Sequence, residues 1–216
     1  MTIPTVSPIE RLPVDGRFAE LATAEQLNRA ADALRSHGFD VRIAESAVEA
    51  GDIALSLIPE GAEVHSGASE TLAQIGLVDA IEASGRFDAV KPRIRSMDRA
   101  TEAREIRKLG AAPDVFINSA AAVTEDGKIL WASGSGSQLA PIANGAGRVI
   151  LIVGAQKVVP DLATAFDRIE HYAQPLEDVR MQETYGMRSR VNKLLIVQGE
   201  RPGRTTVILM REPAGF

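Results

Sequence analysis

Residues 148–153 read Arg-Val-Ile-Leu-Ile-Val, an arginine and then five consecutive apolar side chains of which four are β-branched. Successive side chains of a strand point to opposite faces, so a run with no polar alternation requires burial on both. That is the environment of a central strand in a parallel sheet covered by helices. Around this run, short apolar segments alternate with stretches of helical period, the pattern of βαβ units. A mainly parallel, doubly wound α/β sheet is therefore expected, with residues 1–14 as an extended arm and residues 15–216 as a single domain.

The arm carries Pro4, Pro8 and Pro13, and proline neither continues a helix nor donates to a central ladder. Beyond it, Thr23 with Gln26 and Ser46 with Glu49 have the spacing of capping boxes. They predict helices carrying Leu27, Ala30, Ala31 and Leu34, and then Ala50, Ile53, Ala54 and Leu57. Gly38 closes the first and Pro59 stops the second. Strands are expected over 40–44, 62–65, 87–92 and 114–118, and helices over 69–84 and 98–109. Asp126-Gly127 marks a tight hairpin within 123–131. A helix over 161–172 places Leu162, Ala165, Phe166 and Ile169 on one side. Residues 177–193 are expected as a long loop, and 194–197 and 206–210 as closing strands.

The chain contains no cysteine, which removes disulfides, thiolate metal sites, cysteine nucleophiles and cysteine-anchored iron–sulfur clusters. His37, His65 and His171 are widely separated, so no metal site is expected. A net charge of −5 and 4% aromatic residues argue against nucleic acid and acidic membranes as partners. No signal-like segment opens the chain, and a cytoplasmic location is the expectation.

Ligands of open α/β sheets bind where strand carboxyl ends lead into helix N-termini. Three turns fit. Ser66, Gly67 and Ser69, followed by Glu70, combine small residues with a helix start, which favours an anion; plain capping is the alternative. Gly134, Ser135, Gly136 and Ser137 form a second small-residue turn that is neither a Walker loop nor GxGxxG. Gly154 and Lys157 follow the central strand, with Lys157 either reaching an anion or solvated. Asn118 and Thr124 stand at strand tips as further ligand-binding candidates. Glu70, Glu125 and Lys157 are the candidate catalytic groups, while the lone His65 is expected to be structural. The mixed charges of residues 93–108 indicate a solvated face.

From about Gly61 onward the chain resembles the LUD (lactate utilization) domain family, of the LutC kind. The resemblance is carried by Ser66-Gly67-Ala68-Ser69-Glu70-Thr71-Leu72, by residues 118–129 (NSAAAVTEDGKI), by Ser133-Gly134-Ser135-Gly136, and by 149–160 (VILIVGAQKVVP) with the segment after it to Pro175. It implies a fold similar to the NagB/RpiA/CoA transferase-like superfamily, which includes 5-formyltetrahydrofolate cyclo-ligase. It also implies a place in oxidation of L-lactate to pyruvate, as a non-redox accessory or small-anion-binding protein beside lactate-oxidation partner proteins. A CoA-, folate- or sugar-phosphate-dependent transferase or isomerase, and a scaffold subunit without its own ligand, are the alternatives. Where relatives often read Gly-Asn-Arg, this chain has Gly136-Ser137-Gln138. Residues 183–190 lack the cysteine that some relatives carry.

Overall fold

The computed structural model describes residues 11–216. Most of the expected arm, residues 1–10, thus lies outside the described residues. In chain order the regular elements are α1 (Ala24–Ser36), β1 (Asp40–Ala44), α2 (Ala47–Ser56), β2 (Glu63–Ser66), α3 (Glu70–Gln74), α4 (Leu77–Ala83), β3 (Asp88–Ala89), α5 (Val90–Ser96), α6 (Ala103–Ala111), β4 (Val115–Asn118), β5 (Ala122–Thr124), β6 (Ile129–Ser133), β7 (Arg148–Gly154), β8 (Val158–Val159), α7 (Leu162–Arg168), α8 (Gln174–Tyr185), β9 (Lys193–Val197) and β10 (Thr205–Met210).

Six strands form a wholly parallel sheet in the order β1-β10-β7-β4-β2-β3. The apolar run Val149–Val153 lies in β7, held between β10 and β4. Its odd side chains, Val149, Leu151 and Val153, enter one core with Leu27 and Leu34 of α1. Its even ones, Ile150 and Ile152, enter the other with Ala50 of α2, Leu72 of α3 and Ile81 of α4. Full burial of each such aliphatic side chain contributes on the order of 1.5–3 kcal/mol, which is why no polar residue interrupts the strand. The fold class is the α/β, mainly parallel arrangement the sequence implies.

A second sheet, β8-β5-β6-β9, lies over the α1 side. Its inner face sends Val123, Ile129 and Trp131 into the same core as β7 and β10. Its outer face is covered by Ala165 of α7 and by Ile169. The hairpin at Asp126-Gly127 joins β5 to β6 antiparallel, with Gly127 at φ +82°. The two closing strands consequently belong to different sheets: β9 pairs with β6, and β10 lies between β1 and β7.

Several expected boundaries move. The helix over 69–84 is broken by Gly76 at φ +69° into α3 and α4. The strand over 87–92 shrinks to β3, because α5 begins at Val90; Pro92 then falls in a first turn, where its missing N–H costs nothing. The charged helix starts at Ala103 and runs through Gly110 to Ala111. The segment 161–172 continues through a wide π-type turn, Ile169–Ala173, into α8, whose second residue is Pro175. Half of the expected 177–193 loop is therefore helix, ending at Gly186 with φ +66°. Phe166 leaves the expected apolar stripe and is 40% exposed. No helix among the described residues is long and apolar enough to cross a membrane.

Candidate functional site

At the carboxyl ends of β2 and β4 lies a cavity of about 890 Å³. Its walls come from the turn after β2, the end of β4 with residues 119–121, the turn after β6, α5, and α8 with the segment that follows it.

The β2 wall depends on a glycine. A Cβ on Gly67 would stand 2.7 Å from Asn118 Nδ2 and 2.9 Å from Phe116 Cζ. Its absence lets the turn lie directly on the tip of β4, with Gly67 N–H donating to the Ile117 carbonyl at 2.9 Å. Ser69 caps α3 by accepting from Leu72 N–H, and Ser69 and Glu70 both line the cavity. Ser66 is buried at the end of β2, just behind that wall.

Asn118 is tied on both sides: Oδ1 accepts from Ser119 N–H at 2.8 Å, and Nδ2 donates to Gln138 Oε1 at 3.3 Å. Gln138 Nε2 in turn donates to the Ala132 carbonyl. In the adjoining turn, Gly136 N–H donates to Ser133 Oγ and Ser137 N–H to Ser135 Oγ. Lys193 Nζ clasps the Ser135 carbonyl at 3.0 Å. The Gly136 and Ser137 N–H groups are thus used within the turn itself. Gly134, Ser135 and Ser137 line the cavity; Gly136 supplies the φ of +85° that the turn needs.

The third turn lies beneath this cavity rather than in its wall. Gly154 is packed against Gln156 and the 212–214 backbone. Lys157 is 2% exposed, and its Nζ donates to Thr71 Oγ1 at 2.8 Å and lies 3.2 Å from Ser119 Oγ. Burial, with a smaller push from Arg168, holds its pKa well below the usual lysine range. Ser119 is part of the cavity lining.

Two candidates stand elsewhere. Glu125 faces α1, accepting from Gln26 Nε2 at 3.0 Å and Arg29 Nε at 2.7 Å. Thr124 is wholly buried and locks the hairpin, its hydroxyl bonded to Asp126 and accepting from Lys128 N–H. His65 lies against the Phe116 ring and keeps a buried Nδ1 without a partner. Burial first, then Lys91, lowers its pKa to about 4.

Residues that the sequence did not single out complete the cavity. Lys91 of α5 lines it and makes only a long 3.4 Å bond to the Gly67 carbonyl. Burial lowers its pKa, while Glu82 and Asp79 raise it and Arg95 lowers it. Arg180, Arg188 and Arg190 are also in the lining, together with the carboxylates of Glu70, Asp79 and Glu177. Arg180 is paired with Glu177 and Arg188 with Asp178; Lys91 and Arg190 have no ion-pair partner among the described residues. Lys91 was hidden by the expected strand, and the arginines by the expected loop. Among the described residues no group of three His, Asp or Glu is placed to hold a metal ion.

Residues 27–210 match the LUD domain. The chain belongs to the LUD domain family. Among solved structures, this LUD-domain protein is similar to a DUF162 family protein from Deinococcus radiodurans, with 15% identity, a TM-score of 0.54, and coverage of 89% of this chain and 100% of that one. That likeness shows a shared fold. Fainter ones are to translation initiation factor eIF-2B of Pyrococcus horikoshii OT3 (19% identity, TM-score 0.36, 54% of this chain and 48% of that one) and to ribose 5 phosphate isomerase A of Neisseria gonorrhoeae (14% identity, TM-score 0.33, 66% and 57%). No curated protein matches the LUD-domain chain.

Proposed function

We propose that this LUD-domain protein binds a small organic anion in the cavity above β2 and β4, and serves lactate or related organic-acid metabolism. The observation that carries the proposal is Lys91: a half-buried ammonium in the cavity wall with no carboxylate in bonding range. Removing an ammonium from water is costly unless an opposite charge or good acceptors replace the lost hydration, and an anionic ligand supplies both. Ser69, Ser135, Ser137 and Asn118 add neutral hydrogen-bonding groups to the same cavity.

Thermal unfolding in the presence of lactate, pyruvate, CoA, nucleotides, folates and sugar phosphates tests this. One class is expected to give saturable stabilisation, about 2.7 kcal/mol at a hundred times Kd. Lys91→Gln, which loses a charge-assisted bond of about 1.5–3 kcal/mol, is expected to weaken that ligand roughly tenfold or more. If none of these anions stabilises the protein saturably, the anion-binding role is wrong. A transferase or isomerase of anionic substrates keeps Glu70, the carboxylate among the original candidates that lines the cavity.

A further inference from the structure

Lys157, Ser119 and Thr71 are 38 to 86 residues apart in sequence and meet beneath the cavity. Lys157 Nζ has two hydroxyl neighbours and makes no ion pair with a described carboxylate; the charged group that acts on it is Arg168 of α7, itself fully buried. Thr71 Oγ1 donates to the Ala214 carbonyl at 3.0 Å, so it receives a hydrogen from the amine. An uncharged amine has two hydrogens and one lone pair. Nζ also lies within donating range of Ser119 Oγ at 3.2 Å, while the Ser119 hydroxyl reaches the Ala120 carbonyl only at a long 3.5 Å; turning that hydroxyl brings its hydrogen to the lone pair of a neutral Nζ. Ser119 in turn belongs to the cavity lining, and its carbonyl is pinned by Trp131 Nε1 at 2.7 Å.

We propose that Ser119 and Lys157 form a serine–lysine dyad that attacks the acyl carbon of an anionic ester or thioester bound in the cavity. Serine is a weak nucleophile until a neighbouring base takes its proton, and an amine serves as that base only when it is neutral. Burial beside Arg168 favours the neutral form. In the first step Ser119 Oγ bonds to the carbonyl carbon while its proton passes to Lys157 Nζ. The tetrahedral intermediate then expels the alcohol or thiol, which takes that proton from the ammonium, leaving an acyl-Ser119 ester. Water attacks the ester, gives a proton to Lys157, and Ser119 leaves as the hydroxyl when that proton returns. No oxidant or metal enters the balance. Asn118 Nδ2, held only by its 3.3 Å bond to Gln138, is the amide donor nearest in sequence for the developing oxyanion.

The dyad rests on the anion-binding reading for how its substrate is held, but its chemistry is read separately. The full-length protein is treated with p-nitrophenyl acetate and with a fluorophosphonate, and the modified residue is located by peptide mass spectrometry. Stoichiometric modification at Ser119 is expected, absent in Ser119→Ala. In Lys157→Met, checked for folding by circular dichroism, the labelling rate is expected to fall at least a hundredfold. In the wild type it is expected to reach its plateau below the pH at which an ordinary lysine loses its proton. Should Lys157→Met not fold, the wild-type pH profile and Ser119→Ala still decide. Absence of label at Ser119, or a rate that keeps rising through pH 10.5, overturns the dyad. If the wild type is stabilised by an anion yet never labelled at Ser119, the dyad fails and anion binding stands; labelling without any anion effect shows the reverse.

Discussion

Lys157 sits wholly inside the molecule, with hydroxyls for partners and a guanidinium for its charged neighbour. Its sequence context, a glycine turn after a buried strand, put it at the carboxyl end of β7 and left it either reaching an anion or solvated; the structure instead buries it beneath the cavity. Its depth was not legible, because depth depends on Thr71 and Ser119, which only the tertiary fold brings near. That depth has a measurable consequence. The folded pKa lies below the unfolded value of about 10.5, so between the two the unfolded chain binds more protons. Stability from this group therefore rises with pH through that window, by at most about 1.4 kcal/mol per pH unit. Lys91 acts in the same sense. Urea denaturation at pH 7, 8 and 9 is expected to show a shallower rise for Lys157→Met than for the wild type, with the variant the more stable at pH 7. Equal slopes would mean that the amine stays charged in the fold.

Elements whose signals are local came through well. Thr23 and Gln26 make the reciprocal cap of α1, and at α2 Ser46 accepts from Glu49 N–H while Glu49 bonds Glu45 instead. The helix over 177–185 did not come through, although Pro175 in its first turn and Gly186 past its last residue are local helix signals; its anchor is Asp178, fully buried and accepting from Gln182 Nε2 at 3.1 Å, Arg188 Nε at 2.8 Å and Ser189 N–H at 2.6 Å. This carboxylate ties the irregular segment 187–192 to α8 and so shapes one cavity wall. Asp178→Ala leaves those donors without their acceptor, at a cost of about 1–3 kcal/mol. Local opening of the segment is expected to become more frequent by tenfold or so. Brief trypsin treatment then cuts after Arg188 or Arg190 faster in the variant while the rest of the chain stays intact. Unchanged cleavage kinetics would show that the segment is held by something other than Asp178.

At the scale of the molecule, the parallel sheet was readable because β7 announces burial on both faces, whereas the second sheet was not. Its members β5 and β8 are three and two residues long, and β6 finds β9 only through pairs such as Ile129 with Val197. The two sheets are nevertheless one packing unit: Trp131 and Ile129 of β6 share a continuous core with Leu151 of β7, Leu209 of β10 and Leu34 of α1. A core that crosses between layers couples their unfolding, because neither sheet keeps its buried area once the other is lost. The single tryptophan, Trp131, reports on the second sheet, and far-UV circular dichroism is dominated by the helices and strands of the parallel layer. In guanidinium the two signals are expected to trace one transition with a common midpoint, as a single domain requires. A fluorescence change that precedes the loss of dichroism would divide the chain into two units and detach the cavity's β6 wall from the sheet whose strand ends form its floor.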